Sequence, residues 1–233
     1  IFAITDAARD GATFWWDRID DLAPHVARDR WRGFETACGL PECYRRGQPR
    51  AFGPLRPLRQ WLPAAHAGRW PAHLEPVLSQ LEEETGRRTV HRAMTFDELA
   101  TLTTLPGVEV GVHTMSHPVL PLLEDSELES EIGQSYGALR ERSHAVVPVL
   151  AIPFGLYDER VLRIAHRAGM RTSLTLCADT QDPEPAPYAL SRYCVTIDDT
   201  CARLVLRVSG LPRFFRTWSA PPASYPELPS PTS

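Results

Sequence analysis

Apolar positions along this chain switch between two periods. Ile1 to Ile4 is a continuous apolar run, read as the end of a strand. Trp15, Ile19, Leu22 and Val26 then recur at helical spacing, with Thr13 placed to cap the helix. Residues 38–72 are rich in Pro, Gly and Arg and hold no clean period, so they are read as inserted loops and short helices. Leu74, Val77, Leu78 and Leu81 mark a helix that runs through Glu82-Glu83-Glu84 and stops at Gly86. Thr95 and Glu98 have capping-box spacing, with Met94 and Leu99 where a hydrophobic staple would sit. A turn at Pro106-Gly107 follows, after which Val108, Val110 and Val112 alternate at strand period.

The second half repeats the alternation. Ser126 and Glu129 form another capping-box pair, and Leu128, Ile132, Tyr136 and Leu139 make one helical face. Val146 to Ile152 reads as a buried strand broken by Pro153-Phe154-Gly155. Asp158 caps a helix through Val161, Leu162 and Ala165 that Gly169 closes. Strands are expected at Thr172 to Leu176 and, beyond a Pro-rich loop, at Tyr193 to Ile197. A helix from Asp199 to Val208 is expected, with Asp198-Asp199 as its N-cap. Strands alternating with helices predict an α/β fold with a mostly parallel sheet or barrel. The Pro/Ser-rich stretch 213–233 is read as a tail or linker outside that fold.

Composition narrows the function classes. A net charge of −4 leaves no electrostatic footprint for nucleic acid. No apolar run approaches the ~18 residues that a membrane helix needs. Every basic side chain except His is Arg, read as a base-composition bias. The five cysteines (38, 43, 177, 194 and 201) are an odd number without a dense framework, which argues against a disulfide scaffold and favours the cytoplasm over the cell envelope. Cys38 and Cys43 have loose zinc spacing but no second ligand pair, so they are read as structural or free thiols. The chain begins with Ile in mid-pattern, and its N-terminus is expected to be missing.

Two histidines four residues apart carry the chemistry. His113 follows Val112 at the expected carboxyl end of a strand, where α/β sheets and barrels bind ligands. A spacing of four puts both imidazoles on one face if the backbone makes a single helical turn, which Pro118 would keep short. Imidazole suits Zn, Fe, Co or Ni. On spacing alone, solvated turn histidines are the better reading, because a catalytic metal usually has a third protein ligand. Pro153-Phe154-Gly155 alone reads as an ordinary strand-ending turn. His144 and His166, on or beside helices, are expected to be exposed.

The order "VEVGVHTMSHPVL", a capped helix, then "VLAIPFGLYDERVLRIAHRAGMRTSLTL", resembles the polysaccharide deacetylase family with the NodB homology domain. "RAMTFDELATL", "FWWDRIDDL" and "ALSRYCVTIDDT" extend the likeness over most of residues 1–212. The resemblance implies a distorted (β/α) barrel, N-terminally truncated and carrying a helical and loop insertion at about 28–92. It implies a hydrolase that removes acetyl groups from N- or O-acetylated sugars with a divalent metal, zinc first and Co, Ni or Fe as alternatives. His113 and His117 would be metal ligands, and Thr114 would hold their loop. Pro153, Phe154 and Gly155 would line the groove, with the Phe154 backbone N–H as oxyanion donor. Arg192 and Asp179 are candidates for binding substrate. The acetylated glycan is the expected partner.

The family pattern has gaps here. Its Thr-Phe-Asp-Asp-Gly motif, which holds the catalytic base and third ligand, is absent, and on this reading belongs upstream of Ile1. The chain as it stands is therefore expected to be poorly active. Asp6 and Asp10 fall in an expected loop and take no role. Ala151 and Ile152 stand where many members have Arg, and no His follows His166 to serve as general acid. A non-catalytic carbohydrate-binding relative is the alternative, while the lack of any Gly-x-Ser-x-Gly elbow argues against an α/β-hydrolase.

Overall fold

The alternating valines ahead of His113 do form a strand, and four others align with it. A computed structural model describes residues 1–40, 66, 68–175, 188–192, 195 and 200–209. Its strands are β1 (Phe2–Ala3), β2 (Val110–Val112), β3 (Val146–Ala151), β4 (Thr172–Thr175) and β5 (Ala189–Ser191). They pair in chain order, all parallel. Among the described residues this is an open five-stranded sheet, as the α/β expectation requires. One row of partners, Ala3, Val112, Leu150, Ser173 and Ala189, crosses it from edge to edge.

The helices are α1 (Thr5–Asp10), α2 (Trp15–Leu22), α3 (Arg28–Ala37), α4 (Glu75–Thr85), α5 (Phe96–Leu102), α6 (Asp125–Arg140), α7 (Glu159–Arg167) and α8 (Cys201–Val208). Several starts and stops are where the sequence puts them. Thr95 and Glu98 close a reciprocal capping box on α5. Asp158 accepts the Val161 N–H at 2.8 Å to start α7. Gly86 ends α4 at φ 63°, a conformation cheap only for glycine.

Other boundaries move. Phe14 precedes α2 in extended conformation without a side-chain cap, so Thr13 does not cap it, and α2 ends before Val26. Asp6 and Asp10 lie within α1, not in a loop. The box on α6 is built by Glu124 and Glu127, two residues earlier than Ser126 and Glu129. Thr200 caps α8 through the Arg203 N–H at 3.3 Å, not Asp198-Asp199. The last strand is Ala189–Ser191; Tyr193, Cys194 and 196–199 lie outside the described residues, and Val195 is not in a strand.

Two apolar cores result. The larger gathers Val110, Val112, Leu120, Leu128, Ile132, Leu150, Ile152, Val161 and Ile164 between the sheet, α6 and α7. Each side chain of this size contributes about 1.5–3 kcal/mol on burial. The smaller joins α2, α3 and α4 through Ile19, Leu22, Phe34, Leu74, Leu78 and Leu81. Arg18 ties α2 to α4: it donates to Glu75 at 2.8 and 3.0 Å and to Glu82 at 2.8 and 3.0 Å. Cys38 belongs to this smaller core, and burial pushes its thiol up to about 12, so it stays protonated. No helix among the described residues is long and apolar enough to cross a membrane.

Candidate active site

Parallel pairing sends every strand's carboxyl end to the same edge of the sheet. His113 leaves β2 there, Pro153 leaves β3 and Arg192 leaves β5. The link between the two histidines is not the helical turn that their spacing allows. Thr114 and His117 both take left-handed backbone, at φ 66° and 64°. Each such non-glycine residue costs about 1–2 kcal/mol. The loop is correspondingly well tied. The His117 N–H donates to Thr114 Oγ1 at 3.0 Å. The Thr114 carbonyl accepts from the Thr5 N–H at 3.2 Å and the Ser135 hydroxyl at 3.1 Å. Met115 and Ser116 donate their N–H groups to Glu131 Oε2 at 2.9 and 3.0 Å, and the Ser116 hydroxyl donates to Glu131 Oε1 at 2.6 Å.

So held, the imidazoles converge. Their ring centroids lie 4.7 Å apart with the planes 77° from parallel. His113 Nδ1 lies 2.6 Å from the Ala151 carbonyl. A carbonyl can only accept, so Nδ1 carries the proton and Nε2 keeps its lone pair. That is how a metal-binding histidine is usually oriented. His117 Nδ1 is buried and has no hydrogen-bond partner among the described residues. Burial pushes the His117 imidazole down to about 3, with the neighbouring His113 adding to the effect. Burial also lowers His113, and the positive Arg192 assists, while the bond to Ala151 opposes the shift. Both rings are therefore neutral at pH 7, the form that ligates metals.

Phe154 closes one side. It is a third left-handed non-glycine residue, at φ 57°, and its ring meets His117 with centroids 4.7 Å apart. The N–H groups of Gly155 and Leu156 close this turn on the carbonyls of Ile152 and Pro153, so the turn itself does not use the Phe154 N–H. Trp16, at the start of α2, tilts against His117 at 5.3 Å, with Phe14 stacked on it at 4.5 Å. Gly68 lies over the pair: a Cβ there would sit 2.9 Å from the His117 carbonyl and 3.0 Å from the Phe154 ring. The inserted region thus supplies part of the wall.

Arg192 stands at the same edge, its N–H on the Thr175 carbonyl at 3.0 Å and its guanidinium near the Thr175 and Leu174 carbonyls at 3.4 and 3.5 Å. Asp179, Cys43, Cys177 and Cys194 lie outside the described residues. Asp6 pairs with Arg9 at 3.5 Å and offers its N–H, not its carboxylate, to Met115 O at 3.0 Å. His144 and His166 are exposed, His166 stacking on Tyr188 at 4.1 Å.

Two neutral nitrogen donors beside each other, one with an unpartnered buried nitrogen, fit half of a tetrahedral metal site. Among the described residues, no third His, Cys, Asp or Glu joins them. Sequence reading missed Glu131, Ser135, Trp16 and Gly68. For Glu131 and Ser135 a signal was present: both are polar, yet both share the helical face of Leu128 and Ile132. Trp16 and Gly68 carry no local signal, because only tertiary packing brings α2 and the insert to the histidines.

Comparison with known proteins gives a likeness over part of the chain. A family model described as polysaccharide deacetylase matches residues 77–173, a span holding both histidines, Glu131 and the Pro153-Phe154-Gly155 turn. Chitin deacetylase 1 of Cryptococcus neoformans var. grubii is 25% identical over 105 residues, 43% of this chain. The aligned part is 22% of that protein, so the chain spans about a fifth of the length of the curated relative it matches. Among solved structures, the Streptococcus pyogenes deacetylase PplD, in complex with acetate, aligns with a TM-score of 0.42 and 18% identity, over 57% of this chain and 62% of its own. A polysaccharide deacetylase of Bacillus cereus aligns with a TM-score of 0.44 and 18% identity, over 58% of this chain and 46% of its own. Over residues 77–173, somewhat under half of its length, the chain is similar to the polysaccharide deacetylase family.

Proposed function

We propose that this chain carries the metal-binding face of a hydrolase that removes acetyl groups from N- or O-acetylated sugars or polysaccharides. The observation that carries the reading is the His113–His117 pair: rings 4.7 Å apart at the carboxyl end of β2, with a buried, unpartnered nitrogen on His117. His113 would bind through Nε2, its Nδ1–H being spent on Ala151. Zinc is the first choice for such a donor set, with Co, Ni or Fe as alternatives. A cation so placed would lower the pKa of a water and polarise the acetyl carbonyl.

The chain's own groups supply part of the rest, with no general base assigned among the described residues. The Phe154 N–H donates to the oxygen that gains charge as the carbonyl is attacked. Pro153 and Gly155 fix the turn that carries that N–H. The rings of Phe154 and Trp16 exclude water from the histidines and wall the groove for a sugar. Arg192, and Asp179 beyond the described residues, are assigned polar contacts to the glycan. The cytoplasmic placement favoured by the cysteines belongs to the same reading.

The lack of a third metal-ligating side chain among the described residues favours a second reading, a carbohydrate-binding relative without chemistry. Zinc competition against a chromophoric chelator, run beside acetate release from N-acetylated chitooligosaccharides, tests both. One zinc per chain, lost in His113→Ala and His117→Ala, is the expected result, with acetate release slow because no general base is assigned among the described residues. Oligosaccharide binding without acetate selects the second reading. A chain that takes up neither zinc nor oligosaccharide refutes both.

A further inference from the structure

We infer that Glu131 is a positioning residue: from the buried face of α6 it clamps the loop that spaces His113 from His117. The inference rests on the reading of those histidines as a metal-binding pair.

Glu131 sits in a stripe with Leu128, Ile132, Ser135 and Leu139, all buried. A carboxylate is out of place there unless polar groups replace its water. The replacements all come from one short segment. Oε2 takes the N–H groups of Met115 and Ser116, and Oε1 takes the Ser116 hydroxyl. Among the described residues, the cation that reaches it is Arg69, 3.9 Å from Oε1 and closer to Glu127 at 3.4 Å. The partners of Glu131 are therefore residues that lie between the two histidines.

The remaining bonds point the same way. One helical turn further along α6, Ser135 holds the Thr114 carbonyl, and Thr114 holds the His117 N–H. The loop's two left-handed residues, Thr114 and His117, are at its ends, where the backbone would otherwise relax to commoner angles. Relaxation at either end swings an imidazole away from its neighbour. Glu131 opposes it by gripping the middle of the loop with two adjacent N–H donors and a hydroxyl. Outer partners of this kind typically change metal affinity 10–100-fold when removed.

Three variants of the full chain separate positioning from mere folding. Glu131→Leu keeps the volume and the helix preference of the site but deletes both acceptors. Glu131→Gln keeps one carbonyl oxygen for the two N–H groups. Leu139→Ala weakens the same helix at its far end, away from the loop. Zinc affinity should fall by about tenfold or more in Glu131→Leu, as for other outer partners, with the helical circular dichroism retained. Glu131→Gln should stay within about threefold of wild type, since the two N–H bonds survive. Leu139→Ala should lower the melting temperature and leave zinc affinity unchanged. Equal zinc affinity in Glu131→Leu and wild type overturns the inference. So does an equal loss in Leu139→Ala, or a loss in Glu131→Gln as large as in Glu131→Leu.

Should wild type bind no zinc, the functional reading fails by itself, and the metal-free chain still tests the clamp. Hydrogen exchange at the Met115 and Ser116 amides should then speed up about tenfold or more in Glu131→Leu but not in Leu139→Ala. Unchanged exchange in Glu131→Leu overturns the clamp independently of any metal.

Discussion

His117 and Phe154 are both held in left-handed backbone, at φ 64° and 57°, and their rings meet edge to face with centroids 4.7 Å apart. They follow neighbouring strands, β2 and β3, so this contact joins two loops at the carboxyl edge of the sheet. Neither residue is glycine, so both conformations are maintained by surrounding contacts and not by local preference.

Gly68 is one of those contacts, and replacing it should disturb both. It has φ 81°, and an added Cβ would stand 2.9 Å from the His117 carbonyl and the Val119 nitrogen. Gly68→Ala should cost about 1–2 kcal/mol for the left-handed alanine alone, with backbone displacement adding to it. A thermal melt measures the loss, and zinc affinity should weaken with it. A variant as stable as wild type would show that this segment does not press on the site.

Acid should destabilise the metal-free chain through His117. Unfolded, its imidazole titrates near 6.5; folded, burial holds it near 3. Below pH 6.5 the unfolded chain takes up a proton that the folded chain refuses. The stability contribution is thus complete above 6.5 and declines as pH falls toward 3, by up to about 1.4 kcal/mol per pH unit for one imidazole. His113 shifts in the same direction and adds to the slope. Denaturant melts between pH 7 and 4.5 should show this, and His117→Gln should give a shallower dependence. Parallel curves for the two proteins would contradict it.

Trp16 should matter to sugar and little to metal. Its ring lies 5.3 Å from that of His117, backed by Phe14. An aromatic contact of this kind is worth about 0.5–1.5 kcal/mol beyond its area. Trp16→Ala should therefore weaken chitooligosaccharide binding several-fold while zinc affinity holds. Loss of zinc with unchanged sugar affinity would assign Trp16 to support of His117 instead.

Arg18 should control the insert's stability. Its side chain is 15% exposed and Glu82 is 11% exposed, so Arg18→Leu would strand a nearly buried carboxylate. Removing one partner of such a pair costs about 3–5 kcal/mol when both are fully buried, and about 2–3 kcal/mol is expected at this partial exposure. Near-ultraviolet circular dichroism should change early in the melt, because Glu75, the other Arg18 partner, also accepts the Trp70 indole N–H at 2.9 Å. An unchanged melting temperature would mean that solvent replaces both bonds.

How much of this was legible in the sequence follows from the range of the forces involved. Capping at Thr95 and Asp158, the stop at Gly86 and the apolar stripe of α6 depend on side chains three or four residues apart, and the amino-acid order alone decides them. Val110 to Val112 and Val146 to Ala151 are similarly readable, because alternation or a short apolar run leaves few other structures open. The caps that shifted, at Phe14, Glu124 and Thr200, did so where several polar residues compete within one turn. Spacing could also nominate His113 and His117. It could not show that left-handed Thr114 and His117, in place of a helical turn, bring their rings to 4.7 Å. Those angles are unfavourable for the residues themselves. They exist because Glu131 and Ser135, from a helix that begins eight residues after His117, supply the bonds that hold them, and because Gly68 from the insert and Trp16 from α2 pack against the site. Local order chose the elements, and long-range packing made two ordinary turn histidines into neighbours.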